Sequence, residues 1–216
     1  MTAVRGEFEL LDSLGISPEV KHLFSGVLRE DQRGRLVADY RDKYGNAVDW
    51  EIHGVLTHKL ASRGIVCFSP GPSENVRMLF ISDAVFHLIS MVQYKIGRMD
   101  FAYAAFLAIG AKMDKELLLA GISRLPSGIK IYTVFGHSLV GRIRDCKVQH
   151  WVKGMDCLFK IEGNNVSAIF REDVYQMDAS QFSLRNHLRQ IGVRQSVSTV
   201  KPYDKNINNF NCFNYF

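Results

Sequence analysis

The stretch 76-VRMLFISDAVFHLISMVQYKIG-97, with 103-YAAFLAIG-110 and 129-IKIYTVFGHSLVG-141 behind it, decides the fold. Val76–Ile81 is a short apolar run and reads as a buried strand. Val85, Leu88, Ile89, Val92 and Ile96 then recur at helical spacing, which gives one face of a helix. Tyr103–Ile109 is a second apolar strand. Asp114 can cap a following helix that carries Leu118, Gly121, Ile122 and Leu125, with Pro126 just past its end. Ile129–Phe135 is a third strand. Strand, helix, strand, helix, strand with short connections predicts right-handed βαβ units around a buried parallel sheet.

Upstream the rhythm differs. FSPGPSEN at 68–75 breaks every periodic pattern and marks the expected boundary between a small N-terminal α+β lobe, 1–75, and an α/β domain, 76–216. The lobe opens with a helical region around LLDSLG and a second helix started by Ser17-Pro18-Glu19. Arg35–Tyr40 and Ala47–Ile52 are strands joined by RDKYGN, with Gly64–Phe68 as a further candidate strand. Downstream, Gly141–Trp151 reads as a helix. Asp156–Ile161 and Val166–Arg171 flank Glu162-Gly163-Asn164-Asn165 as a hairpin. Ala179–Ile191 is an amphipathic helix, and Gln195–Lys201 a last strand before the tail NINNFNCFNYF.

Composition narrows the class. The chain has 216 residues, 47% of them hydrophobic and 23% charged, which is a globular balance. It has no run of about 18 apolar residues, so no membrane helix is expected. MTAVRGEFELL shows no basic-then-apolar leader pattern, so a cytoplasmic location is expected. Cys67, Cys146, Cys157 and Cys212 form no CxxC pair, which suits free thiols in a reducing compartment. Residues 1–75 carry 9 basic and 11 acidic side chains, whereas 76–216 carry 18 and 11, a net +7 that is compatible with a polyanionic partner.

Ligands of open α/β sheets bind at the carboxyl ends of strands. Those ends are Ser82-Asp83, Gly110-Ala111 and Gly136-His137-Ser138. A Mg²⁺ site needs several converging carboxylates, and only Asp83 offers one. Asp83 reads first as the N-cap of a helix starting at Ala84, and His137 as a loop histidine. The remaining histidines form no HxxxH or HExxH pair, so none is assigned to a metal, and no cofactor is expected. No GxGxxG or Walker loop occurs. Arg142, Arg144, Lys147 and Lys153 surround Trp151 in one basic segment. That pattern suits either a solvated helix face or a surface that holds phosphates and stacks a base.

Several phrases in order resemble Toprim-containing primase-like proteins of bacterial mobile elements. LLDSLGISPEV at 10–20, YRDKYGNAVDWEIHG at 40–54 and FSPGPSEN at 68–75 are similar to phrases of that family's N-terminal part. LFISDAVFHLIS at 79–90 is similar to its Glu-Ser-x-Ile-Asp-Ala phrase, with Asp83 at the Glu position and His87 at the Asp position. FLAIGAKMDKELL at 106–118 matches its Gly-ended strand. IYTVFGHSLVG at 131–141 stands where the family has Asp-x-Asp-x-x-Gly, with Gly136 and Ser138 at the acids and Gly141 retained. Lys205-Asn206-Ile207-Asn208 stands for its closing Lys-Asp-x-Asn. The 156–171 hairpin departs from the family.

The resemblance implies a Toprim-like parallel sheet flanked by helices, with most metal-binding acids replaced. The function it implies is a non-catalytic nucleic-acid-binding or accessory protein of a mobile element, with DNA or RNA, or a protein of the same element, as partner. The alternatives are a Mg²⁺-dependent primase, nuclease or nucleotidyl transferase using Asp83, or a protein–protein module using the aromatic tail, Phe210, Phe213, Tyr215 and Phe216. Asp114 and Glu116 are the acids expected nearest the Gly136–Ser138 turn.

Overall fold

The computed structural model describes residues 8–203 and Phe210, which form two compact units, 8–130 with Phe210 and 131–203. Phe213, Tyr215 and Phe216, Cys212 and the Lys205–Asn208 phrase lie outside the described residues.

The first unit begins with α1 (Glu9–Ser13) and α2 (Pro18–Phe24). Ser17 caps α2 by accepting from the Val20 amide, and Pro18 stands at its first position, as the sequence predicts. A four-stranded antiparallel sheet follows in the order β1 (Leu28–Glu30), β2 (Leu36–Arg41), β3 (Ala47–Gly54) and β4 (Thr57–Lys59). The β2–β3 turn closes through Asp42, whose carboxylate accepts from the Tyr44 and Asn46 amides, while Gly45 adopts φ 89°. Ile65 bridges to Arg41, and the chain then leaves this sheet. β5 (Val66–Phe68) therefore does not extend it.

β6 (Met78–Ser82) and β7 (Ala104–Ala108) are parallel neighbours in register from Met78–Ala104 to Ser82–Ala108. With β5 antiparallel on β7, the sheet is mixed rather than purely parallel, a common arrangement for an edge strand on an α/β sheet. All five residues of β7 are buried, which explains its continuous apolar run. α3 (Val85–Lys95) fills the crossover. It buries Phe86, His87, Ser90 and Met91 as well as its expected apolar face, so it is buried almost all round along its first two turns. α4 (Lys115–Ile122) is capped by Asp114, which accepts from the Leu117 amide. Phe24, Phe68, Phe80, Phe101 and Phe106 form the aromatic centre of the core. Phe210 is fully buried and packs on Tyr94 of its own unit.

The second unit carries β8 (Lys130–Thr133), α5 (Leu139–Val152), a meander of β9 (Leu158–Glu162), β10 (Asn165–Phe170) and β11 (Asp173–Asp178), then α6 (Leu184–Gln190) and β12 (Val197–Thr199). β12 runs parallel to β8. β11 is absent from the sequence reading. It is reached through Arg171 and Glu172 at φ 52° and 74°, a two-residue turn without the usual Asn-Gly signal. α6 is shorter than expected. Residues 179–183 form a turn on the Asp178 carboxylate, and Ser183 caps the helix by accepting from the Asn186 amide. The fold is α/β, with parallel strand pairs and flanking helices in both units.

Candidate functional sites

In the first unit the decisive element is β3. Its inward positions are Asp49, Glu51 and His53, all buried, while Trp50 is exposed. Asp49 accepts from Lys59 Nζ and from the Ser62 amide and hydroxyl, and these donors hold its carboxyl far below the ordinary range against the penalty of burial. It staples β3 to the following loop.

Glu51 is the central group. It is 1% exposed, and its carboxylate accepts from the Val85 amide at 2.8 Å and the Phe86 amide at 3.1 Å. It thereby supplies the cap that α3 lacks in its own sequence, placing a negative charge on the positive helix end. The Tyr40 hydroxyl donates to it at 2.7 Å, and His53 Nε2 lies 2.8 Å away. His53 Nδ1 faces His58 Nδ1 at 3.4 Å, and His58 is exposed. Burial pushes the Glu51 carboxyl up, but His53 and the other donors outweigh it and hold it below the ordinary value.

Asp83 is thus corrected. The N-cap position of α3 is Ala84, which has no side-chain cap, and Glu51 takes that task. The Asp83 carboxylate instead lies 2.7 Å from His87 Nδ1, one helical turn on, and accepts from the Ser82 hydroxyl at 3.2 Å. Asp83 and His87, the two residues at the resembled acidic positions, therefore hold each other.

In the second unit, the Gly136-His137-Ser138 turn follows β8. Ser138 caps α5 by accepting from the Gly141 amide at 3.1 Å. His137 Nε2 donates to the Pro202 carbonyl at 2.9 Å. The ammonium of Lys201 donates to the Phe135 carbonyl at 2.7 Å, the Gly136 carbonyl at 2.9 Å and the Asp145 carboxylate at 2.6 Å. Asp145 also accepts from the Thr133 hydroxyl at 2.7 Å and is 1% exposed. A protein cation therefore fills the strand-end turn. Its acid is Asp145 on α5. Asp114 and Glu116 belong to α4 of the other unit, where Asp114 serves as the cap.

Gly141 lets α5 start directly on this turn. A Cβ at 141 would overlap the Gly136 carbonyl oxygen and stand 3.0 Å from the Gly136 nitrogen. Both neighbours are backbone and cannot swing aside. Gly141→Ala is therefore expected to destabilise the protein by about 2–3 kcal/mol, read from urea unfolding. An effect below 0.5 kcal/mol would show that the turn can move.

The basic segment lies on α5, half of whose residues are buried. Arg142 donates to the Phe182 carbonyl at 2.7 Å and stands 3.5 Å from that of Ser180, so its guanidinium braces the turn before α6. Arg144 lies 5.9 Å from the Phe135 ring centre. Lys147 and Trp151 are half-buried and Lys153 is exposed. A cleft of about 370 Å³ in the first unit is lined by Arg29, Arg41 and Arg124 with Asp39 and Asp42. Arg29 is paired with Asp39 at 2.9 Å. Arginines scattered over β1, β2 and the loop after α4 give no local signal, so the sequence reading missed this cleft.

A divalent hard cation does not fit these donors. Four donors already surround Glu51, Asp83 is paired with His87, and the Gly136–Ser138 turn holds an ammonium where a metal would need acids.

No family model matches this sequence, and no curated protein matches it. Among solved structures the chain is similar to the DnaG primase catalytic domain bound to single-stranded DNA (TM-score 0.35, 12% identity, 62% of this chain and 57% of that one). It is similar also to the DnaG catalytic core (TM-score 0.40, 14% identity, 67% and 58%). A third is the complex of bacteriophage T7 lagging-strand DNA polymerase with primase domains of two gp4 subunits bound to an RNA/DNA hybrid and dTTP (TM-score 0.37, 18% identity, 62% and 68%). The chain spans less than two thirds of the DnaG structures. The α/β reading rests on the strand pairing, not on these likenesses.

Proposed function

We propose that this chain is a non-catalytic nucleic-acid-binding or accessory protein built on a Toprim-like scaffold, with the Toprim-like part in 76–216. The observation that carries the reading is the Lys201 ammonium bound to the Phe135 and Gly136 carbonyls and to Asp145. Phosphoryl-transfer sites use metal ions at such positions to neutralise charge on reacting oxygens. An ammonium already bound to three oxygens supplies no open coordination position. The mobile-element setting rests on the sequence resemblance alone.

Binding of nucleic acid is supported by the excess of positive charge after residue 75 and by the arginine-lined cleft. Phosphate contacts make such binding salt-dependent. Fluorescence anisotropy with labelled single-stranded DNA, duplex DNA and RNA is expected to show binding at low salt that weakens steeply as KCl rises. Lys147→Ala, Lys153→Ala and Arg124→Ala should each lower the log–log salt slope by about 1 where they touch phosphate. Arg142→Ala should instead lower stability, because its guanidinium braces a turn. Absence of binding to all three probes at low salt would overturn the nucleic-acid part of the proposal.

A further inference from the structure

The core of the second unit contains two imidazoles and a thiol among its apolar side chains. His150 on α5, Cys157 ahead of β9 and His187 on α6 are 0%, 7% and 1% exposed. Around them lie Phe159, Phe170 and Phe182, with ring centres 5.2–6.2 Å from the imidazoles. His150 Nε2 and His187 Nε2 face each other at 2.9 Å. The other ring nitrogen of His150, Nδ1, is buried with no hydrogen-bond partner. Leaving such an atom unsatisfied is destabilising, and leucine or phenylalanine would fill the same space without that cost. A purely structural role accounts poorly for two imidazoles and a thiol converging here.

We propose that His150, His187 and Cys157 form a buried binding site for a thiophilic d¹⁰ metal ion, zinc(II) or copper(I), through two imidazole nitrogens and one thiolate. Their ligand atoms all lie within 4.8 Å of one another, and this is a grouping of three potential ligands found among the described residues. Zinc bonds of about 2.0–2.1 Å to nitrogen and 2.3 Å to sulfur set tetrahedral ligand separations of roughly 3.3–3.6 Å. The imidazole pair at 2.9 Å needs to open by only a few tenths of an ångström. The ligands come from α5, the loop before β9 and α6, so an ion would join three separate elements of the unit.

The protonation states agree with this geometry. Burial holds both imidazoles down to about 4, with His150 adding to the effect on His187, so both are neutral and able to ligate at pH 7. Burial pushes the Cys157 thiol up to about 12, so without an ion it stays protonated. Binding must therefore expel one proton: the S–H bond breaks, the sulfur–metal bond forms, and the proton leaves to solvent. Nothing is oxidised or reduced. Soft thiolate with imidazole selects zinc or copper(I) over Mg²⁺, which separates this site from any phosphoryl-transfer metal. The inference is independent of the proposed nucleic-acid function.

The test uses the full chain, stripped with a chelator and titrated separately with Zn²⁺, with Co²⁺ as a coloured surrogate, and with copper(I) against a competing chromophoric chelator. One equivalent is expected to bind, with a rise in melting temperature and release of about one proton. Cobalt should produce a sulfur-to-metal charge-transfer band that Cys157→Ser abolishes and Cys67→Ser retains. X-ray absorption on the loaded wild-type protein reads the ligands without any variant, and one sulfur with at least two nitrogens is expected. The arm that binds more tightly identifies the ion. No uptake of any of the three ions, or a shell without sulfur, overturns the proposal.

Discussion

Glu51→Leu is expected to destabilise the protein by about 3–5 kcal/mol, enough to unfold much of it where total stability is of order 5–15 kcal/mol. The loss is not one of packing, since leucine fills similar space. It comes from four groups that would lose their acceptor: the Val85 and Phe86 amides, the Tyr40 hydroxyl and the His53 imidazole. Each buried orphan costs about 1–3 kcal/mol, and two of the four are the amides that Glu51 caps at the start of α3. Glu51→Gln should cost less, about 2 kcal/mol, because one oxygen remains to accept. The sign of the pH dependence follows from the lowered carboxyl of Glu51. A depressed folded value means that its contribution is present above the ordinary value of about 4.5 and is lost as pH falls through the folded value. Urea unfolding of wild type and Glu51→Gln should therefore converge in acid. Curves that stay parallel down to pH 3 would contradict the role assigned to this carboxylate.

Lys201→Met is expected to cost about 3–5 kcal/mol at neutral pH, because it strands the Asp145 carboxylate at 1% exposure and removes the donor from two carbonyls. Burial pushes the Asp145 carboxyl up, and Lys201 works against that shift. A raised folded value contributes stability below the ordinary carboxylate range and loses it as pH rises through the folded value. Without Lys201 the value rises further, so the defect of Lys201→Met should shrink as pH is lowered. Asp145→Asn in the same background should restore much of the loss at neutral pH, since the amide still accepts from Thr133. If the double variant is no more stable than Lys201→Met, the ion pair is not what holds the turn.

Much of the fold was legible because its signals are local. Ser17-Pro18, Asp114 and the apolar runs of β6 and β7 fix their elements whatever packs on them. The parts that were not legible depend on contacts distant in sequence. In β3 the period of two is plain, but its phase is inverted: the polar residues Asp49, Glu51 and His53 face inward and Trp50 faces out. Hydrophobicity alone assigns the opposite face, because only the partner donors of α3 and Tyr40 make a buried glutamate tolerable. Asp83 likewise had the right residue type for a cap, but it stands one residue before the N-cap position, and Glu51 arrives from 34 residues away and takes the amides. At the Gly136–Ser138 turn the sequence marked the missing acids. It carried no sign that Lys201, 65 residues on from Gly136, would supply a cation instead. The His150, Cys157 and His187 group was invisible for the same reason, since its spacing matches no ligand motif.

Among the described residues, His87 holds Asp83 and the Lys201 ammonium holds the Gly136–Ser138 turn, so a hard divalent cation would have to displace one of them. A ligand that binds only the folded state raises stability in proportion to its occupancy. The most direct measurement is thermal unfolding of the full chain in rising Mn²⁺ and Mg²⁺, with Asp83→Asn alongside. No saturable shift is expected for either ion, and the same response is expected in both proteins. A saturable Mn²⁺-dependent rise in melting temperature that Asp83→Asn removes would contradict it, and would point back to a metal-dependent enzyme.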